Sequence, residues 1–147
     1  MLDLFNRCSN IHLFPYISHA MIPRILEQFD LLLLPFQLTP FSHYINPLKL
    51  SEYLSSGKPI VSTPLSEVVR IASFPEKTVY FIENPEDLGR IVERALSEDT
   101  PLQKARRIDL ARSRTWEKTT ARLASVVNEL LEGKITGQPR EDGFVIR

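Results

Sequence analysis

The sequence predicts an α/β fold in which a parallel sheet lies between layers of helices. Three observations predict it. Short runs of leucine, β-branched and aromatic residues recur at 10–14, 31–34, 59–62 and 78–82, each of a length suited to a strand. Helix signals fall between these runs, and neighbouring strands joined by helical crossovers pair in parallel. After Pro101 strand signals cease and two helical segments follow.

The first run, Asn-Ile-His-Leu-Phe at 10–14, alternates, with His12 structural within it, and the second, four leucines at 31–34, follows Asp30. Between them Ser18 can cap a short helix, His19 lies on the surface at its start, and Pro23 opens a second turn running to about Gln28. The segment 47–55 places Leu48, Leu50 and Leu54 near one helical face and stops at Gly57, the residue suited to a left-handed helix end. It feeds directly into the third run, Pro-Ile-Val-Ser at 59–62. A short helix is predicted over 66–72. Asn84, Pro85 and Glu86 open another, as cap, first helical position and first-turn acid, which extends to about Leu96. The last helices are expected over 102–112 and 115–131, the second carrying Leu123, Val126, Val127 and Leu130 as a stripe. Residues 133–147 are polar and rich in helix breakers, so the chain divides into a domain over 1–132 and a disordered tail.

At 147 residues one such domain buries roughly two-thirds of its unfolded surface. Eighteen basic side chains balance 18 acidic ones, so no global field draws the chain to nucleic acid or anionic lipid, and an anion must be bound locally. The single cysteine, Cys8, excludes a disulfide framework and suits a reducing, cytoplasmic setting. No apolar run approaches the ~18–20 residues of a membrane-spanning helix, and the N-terminus is not a secretory signal. No metal-ligand set, nucleophile elbow or phosphate-binding P-loop is visible. Arg106, Arg107, Arg112 and Arg114 alternate with acids and read as a solvated helix face.

Open α/β sheets bind ligands beyond the carboxyl ends of their strands, which directs attention to 15–17, 35–47 and 63–66. The second connection is long, and long connections in compact domains are commonly functional. A helix starting near Pro47 would present unpaired backbone amides and its positive end to a diphosphate. Glu52, about one and a half turns further, can accept hydrogen bonds from two vicinal hydroxyls, as on a ribose. Lys49 is either a phosphate or sugar-carboxylate partner or plain surface charge, and His43 is either a sugar contact or incidental. Ser62 and Thr63 either reach substrate or cap the next helix.

Read as Asn-Pro-x-Lys-x-x-Glu-Tyr-Leu-x-x-Gly-Lys-Pro-Ile-Val-Ser-Thr, the segment 46–63 resembles the donor-site helix and following strand of retaining GT-B glycosyltransferases. Its match is closest to the bacterial branch of surface and exopolysaccharide synthesis. The flanks agree at 10–16, at 29–36 and at Trp116-Glu117, which is similar to the start of a terminal helix packing toward a partner domain. The resemblance spans about residues 10–131 and implies a Rossmann-like donor-binding domain. Glu52 would hold the donor ribose. Tyr44, Asn46, Pro47, Leu48 and Lys49 would meet the diphosphate and sugar, joined by His43, while Tyr16 and Ile17 would border the base.

The implied ligand is a UDP- or GDP-linked sugar acting as substrate, with no separate cofactor and no metal. Many relatives carry a second glutamate where this chain has Tyr44, and glycine where it has Pro15. The resemblance also implies an N-terminal acceptor domain and two central strands with a Gly-Arg and Lys pair that do not precede Met1. The expectation is therefore a partial donor domain that is inactive alone. Its partner would be a separate acceptor domain or a second copy, with no nucleic acid bound and membrane contact only peripheral and in the complete enzyme. The rival expectation is a non-catalytic interaction module descended from such an enzyme. A nucleotide-sugar epimerase ranks last.

Overall fold

The computed structural model describes residues 8–72 and 78–132; the predicted tail at 133–147 lies outside them. Three short strands form one parallel sheet in the order β1 (Leu32–Leu34), β2 (Ile60–Ser62), β3 (Tyr80–Phe81). The register sets Leu33 beside Val61 and Val61 beside Tyr80. Because strand side chains alternate, these three share one face with Ile82, and Leu34 and Ile60 share the other. This is the predicted α/β architecture, with helices on both sides.

On the first face Val61, Tyr80 and Ile82 pack with Ile91 and Ala95 of a helix over Leu88–Ser97. On the second, Leu34, Ile60 and Val79 pack with Leu50 and Leu54 of α2 (Leu48–Ser56) and with Val68, Ile71 and Ala72 of α3 (Ser66–Ala72). The short α1 (Ile22–Leu26), with Pro23 in its first turn, lies against α2. The helix over Leu88–Ser97 is α4. Behind α2 runs α5 (Pro101–Arg112), whose N-cap Thr100 accepts from the Gln103 amide at 3.2 Å. The last helix, α6 (Trp116–Leu131), has Thr115 as its N-cap.

Gly57 ends α2 at φ 71°, as its placement in the sequence predicts, and a second reason for glycine emerges. A Cβ there would stand 2.7 Å from Lys104 Cγ and 3.1 Å from Ile108 Cδ1, so α5 approaches too closely for any side chain.

Three expectations are corrected. The run at 10–14 forms no strand, and Leu13 and Phe14 are exposed. Alternation alone does not make a strand without a neighbour to take its amides and carbonyls, and His12, exposed as well, is not a strand residue. Ser18 precedes a 3-10 turn at His19–Met21 without a side-chain cap bond, and the helix that follows ends at Leu26 because Gln28 and Phe29 bond in turn-like fashion to Ile25 and Leu26. The helix α6 carries the predicted apolar stripe, of which Leu123, Val127 and Leu130 are exposed.

The third correction concerns the basic cluster, where Arg112 is exposed as expected but Arg107 and Arg114 are not. Arg107 is fully buried, with Nε donating to the Gly57 carbonyl at 2.9 Å and Nη2 to Asp99. Arg114 is mostly covered and meets Glu67 at 3.4 Å. A charge on this face is admitted because each guanidinium finds an acceptor on another element or turn.

Candidate functional site

The connections that follow β1 and β2 are bonded to one another before any ligand arrives. The Phe36 amide donates to Thr63 Oγ1 at 3.0 Å, and the buried Ser62 hydroxyl donates to the carbonyls of Leu34 at 3.2 Å and Thr63 at 2.8 Å. Ser62 is fully buried, while Thr63 is half-buried at the edge of a cleft on the α4 side of the sheet. They fasten the long 35–47 connection to the sheet.

Within that connection a 3-10 turn over Pro40–Tyr44 is held by Thr39 and Ser42. The Thr39 amide donates to Ser42 Oγ at 2.7 Å, and that hydroxyl donates to the Gln37 carbonyl at 3.0 Å. The turn delivers His43 to α3, where Nδ1 stands 2.7 Å from Ser66 Oγ. Tyr44 follows, almost wholly exposed. Asn46 is exposed and Pro47 buried. Pro47 occupies the N-cap position of α2 with no side-chain bond to the helix, so the first-turn amides at Leu48 and Lys49 have no side-chain cap. Both of these residues expose their side chains.

Glu52 lies on the flank of α2 that faces α1. Its carboxylate Oε1 is 3.7 Å from His19 Nε2, and it retains 35% of its side-chain exposure. Together they line a cleft of about 280 Å³ with Ile22, Pro23, Glu27 and Ser55. Tyr16, fully open to solvent, and the half-buried Ile17 immediately precede the turn that carries His19. Tyr53, beside Glu52, has its phenol pKa raised by burial and then by the neighbouring carboxylate, so it stays a neutral hydrogen-bonding group.

The candidate residues thus fall into two neighbouring sets joined by α2. Glu52, with Tyr16 and Ile17 leading to His19, borders the α1–α2 cleft. His43, Tyr44, Asn46, Pro47, Leu48 and Lys49 form a continuous rim from the β1 connection into the start of α2. Two contacts become visible only in the fold. His19 is at the surface as expected, its side chain 90% exposed, and its spacing from Glu52 is visible only once α1 lies against α2. Ser66 ends the 63–66 connection singled out from the sequence, and its bond to His43 spans 23 residues.

A second cleft, about 250 Å³ and almost wholly apolar, lies on the α4 side of the sheet between Leu33, Pro35, Val61, Ile82 and Leu88. Thr63, one of the residues weighed as a substrate contact, also lines it, whereas the residues from His43 to Glu52 do not. Among the described residues, no cluster of histidine, cysteine or carboxylate side chains could hold a metal ion, and no helix is long and apolar enough to cross a membrane.

Comparison with known proteins adds one relationship. No family model matches the chain, and no solved structure matches it significantly. Over 99 residues, 65% of this chain, it is 29% identical to a Bacillus subtilis (strain 168) protein described as a candidate teichuronic acid biosynthesis glycosyltransferase, TuaH. The matched stretch is 24% of that protein, so the chain spans about a quarter of its relative's length. This similarity supports a glycosyltransferase relationship at the level of family.

Proposed function

We propose that this chain is the nucleotide-sugar-binding portion of a GT-B glycosyltransferase that moves a glycosyl group from a nucleoside diphosphate sugar to a hydroxyl acceptor in polysaccharide or glycolipid synthesis. The observation that carries the reading is the position of Glu52. Its partly exposed carboxylate borders a cleft on the same helix whose uncapped first turn opens beside the β1 connection. A carboxylate with open acceptor sites suits the two hydroxyls of a ribose, and a helix N-terminus suits the diphosphate that joins ribose to sugar. The glycosyltransferase relative supports the same direction.

In this reading Glu52 holds the ribose, with Tyr16 and Ile17 at the base. The rim from His43 to Lys49 meets the diphosphate and sugar. The donor is UDP- or GDP-linked and is a substrate rather than a cofactor. Catalysis would rest on positioning and on stabilising charge on the departing diphosphate, with the acceptor supplied by a separate domain or chain in a cytoplasmic setting. The reading is tested by calorimetric titration with UDP and GDP. Saturable binding that weakens at least about tenfold, ~1.4 kcal/mol, in Glu52→Ala supports it, and a folded protein that binds neither nucleotide contradicts it.

A second reading, a non-catalytic interaction module, is favoured by one feature: the exposed apolar side chains of α6, which suit a protein surface better than water. Self-association or partner capture lost on Leu123→Glu, with no nucleotide affinity in the parent chain, would select it.

A further inference from the structure

We infer that Ser66 is a positioning residue that holds His43 in the neutral form protonated at Nε2, so that the ring offers one hydrogen-bond donor to a phosphate or sugar oxygen of the bound nucleotide sugar. The inference rests on the donor-binding reading above and assigns a role to a residue outside the Asn46–Glu52 segment.

The Ser66 hydroxyl makes no other hydrogen bond among the described residues, and it lies 2.7 Å from His43 Nδ1. A serine hydroxyl has one proton to give. Donated to Nδ1, it leaves the ring proton on Nε2, the nitrogen that does not face Ser66. The second shell thereby sets which ring nitrogen donates, the usual way a histidine is oriented for a task.

An exposed imidazole–hydroxyl bond adds little to stability, yet this one joins the two connections at the carboxyl ends of β1 and β2, where open sheets take their ligands. The backbone on either side is already fixed, by Thr39 and Ser42 in the turn before His43 and by Thr63 accepting from Phe36. The ring is thus held at both its backbone and its Nδ1. The adjacent acid does not oppose an anion either. Glu67 is bound by Arg70 at 2.6 Å and 2.8 Å and by Arg114 at 3.4 Å. That pairing, led by the Arg70 hydrogen bond, lowers its pKa and brings two cations to the start of α3.

The test combines long-range ¹⁵N NMR of the His43 ring at alkaline pH with UDP titration of the wild type, Ser66→Ala, Ser66→Thr, His43→Ala and the His43/Ser66 double alanine variant, each checked for an unchanged melting transition. Ser66→Ala is expected to mix the two His43 tautomers and to weaken UDP by about three- to tenfold. Ser66→Thr should restore both properties, and the double variant should bind no worse than His43→Ala. Unchanged tautomer and affinity in Ser66→Ala, in a wild type that binds UDP and is weakened by Glu52→Ala, overturns the inference and leaves the donor-binding reading standing. A wild type that binds neither UDP nor GDP overturns both.

Discussion

The guanidinium of Arg107 lies fully buried with its Nε 2.9 Å from the carbonyl oxygen of Gly57, a residue 50 positions earlier that ends α2. The last carbonyls of a helix have no partner within it, and here a charged donor from α5 satisfies one of them while Asp99 takes the remaining charge. The helix that carries Glu52 is thereby anchored at the end opposite its open first turn. Arg107→Met should remove the clamp and leave the buried Gly57 carbonyl without its donor, costing about 1–3 kcal/mol, while Asp99, exposed to solvent, keeps its charge hydrated. Denaturant unfolding checks this.

Gly57→Ala should destabilise by a separate route. The left-handed backbone at φ 71° costs a side chain about 1–2 kcal/mol, and the contacts with Lys104 and Ile108 add to that. A variant as stable as the parent would show that α5 does not press on this turn in solution.

Core and periphery should respond very differently to the same deletion. Leu54 is wholly buried between sheet and helices, so Leu54→Ala is expected to cost about 2–5 kcal/mol. Leu123 is exposed on α6, and Leu123→Ala should stay within about 0.5 kcal/mol. A large loss at Leu123 would mean that its apolar stripe is covered in solution.

Two groups give the stability a defined pH dependence. Glu67 has a depressed pKa, from its Arg70 hydrogen bond above all. Its contribution is therefore present above the ordinary value of 4.5 and is lost as pH falls through the lower folded value. Tyr80 is pushed up from 10.0 to about 12, first by burial and then by its bond to Glu98. Its contribution holds below pH 10 and is lost as pH rises toward 12. Glu67→Gln should flatten the acid limb and Tyr80→Phe the alkaline limb of melting temperature against pH.

Most helices and three of the four predicted strands are legible because local rules decide them: Gly57 stops α2, Pro85 marks the start of the segment leading into α4, and the run of leucines at 31–34 is apolar enough to enter a sheet. The run at 10–14 is misread because a strand depends on a neighbour, which no local pattern supplies. Arg107 is misread for the opposite reason. Its face was marked by Gln103, Leu110 and Ala111 at helical spacing, all buried or half-buried, and the periodicity outweighed the charge. At the candidate site, Glu52 and the 43–49 rim could be named from sequence because they are contiguous. The contacts of His19 with Glu52 and of Ser66 with His43 could not, since each forms only through packing of distant segments.

The central claim, that a nucleoside diphosphate binds along α2, is tested most directly by following backbone amide resonances while UDP or GDP is added. The account predicts saturable shifts concentrated at Asn46 to Glu52 and at Tyr16 to His19, with α6 unmoved. Shifts confined to the apolar cleft at Leu33, Val61 and Leu88, or none at all from a folded protein, would contradict it.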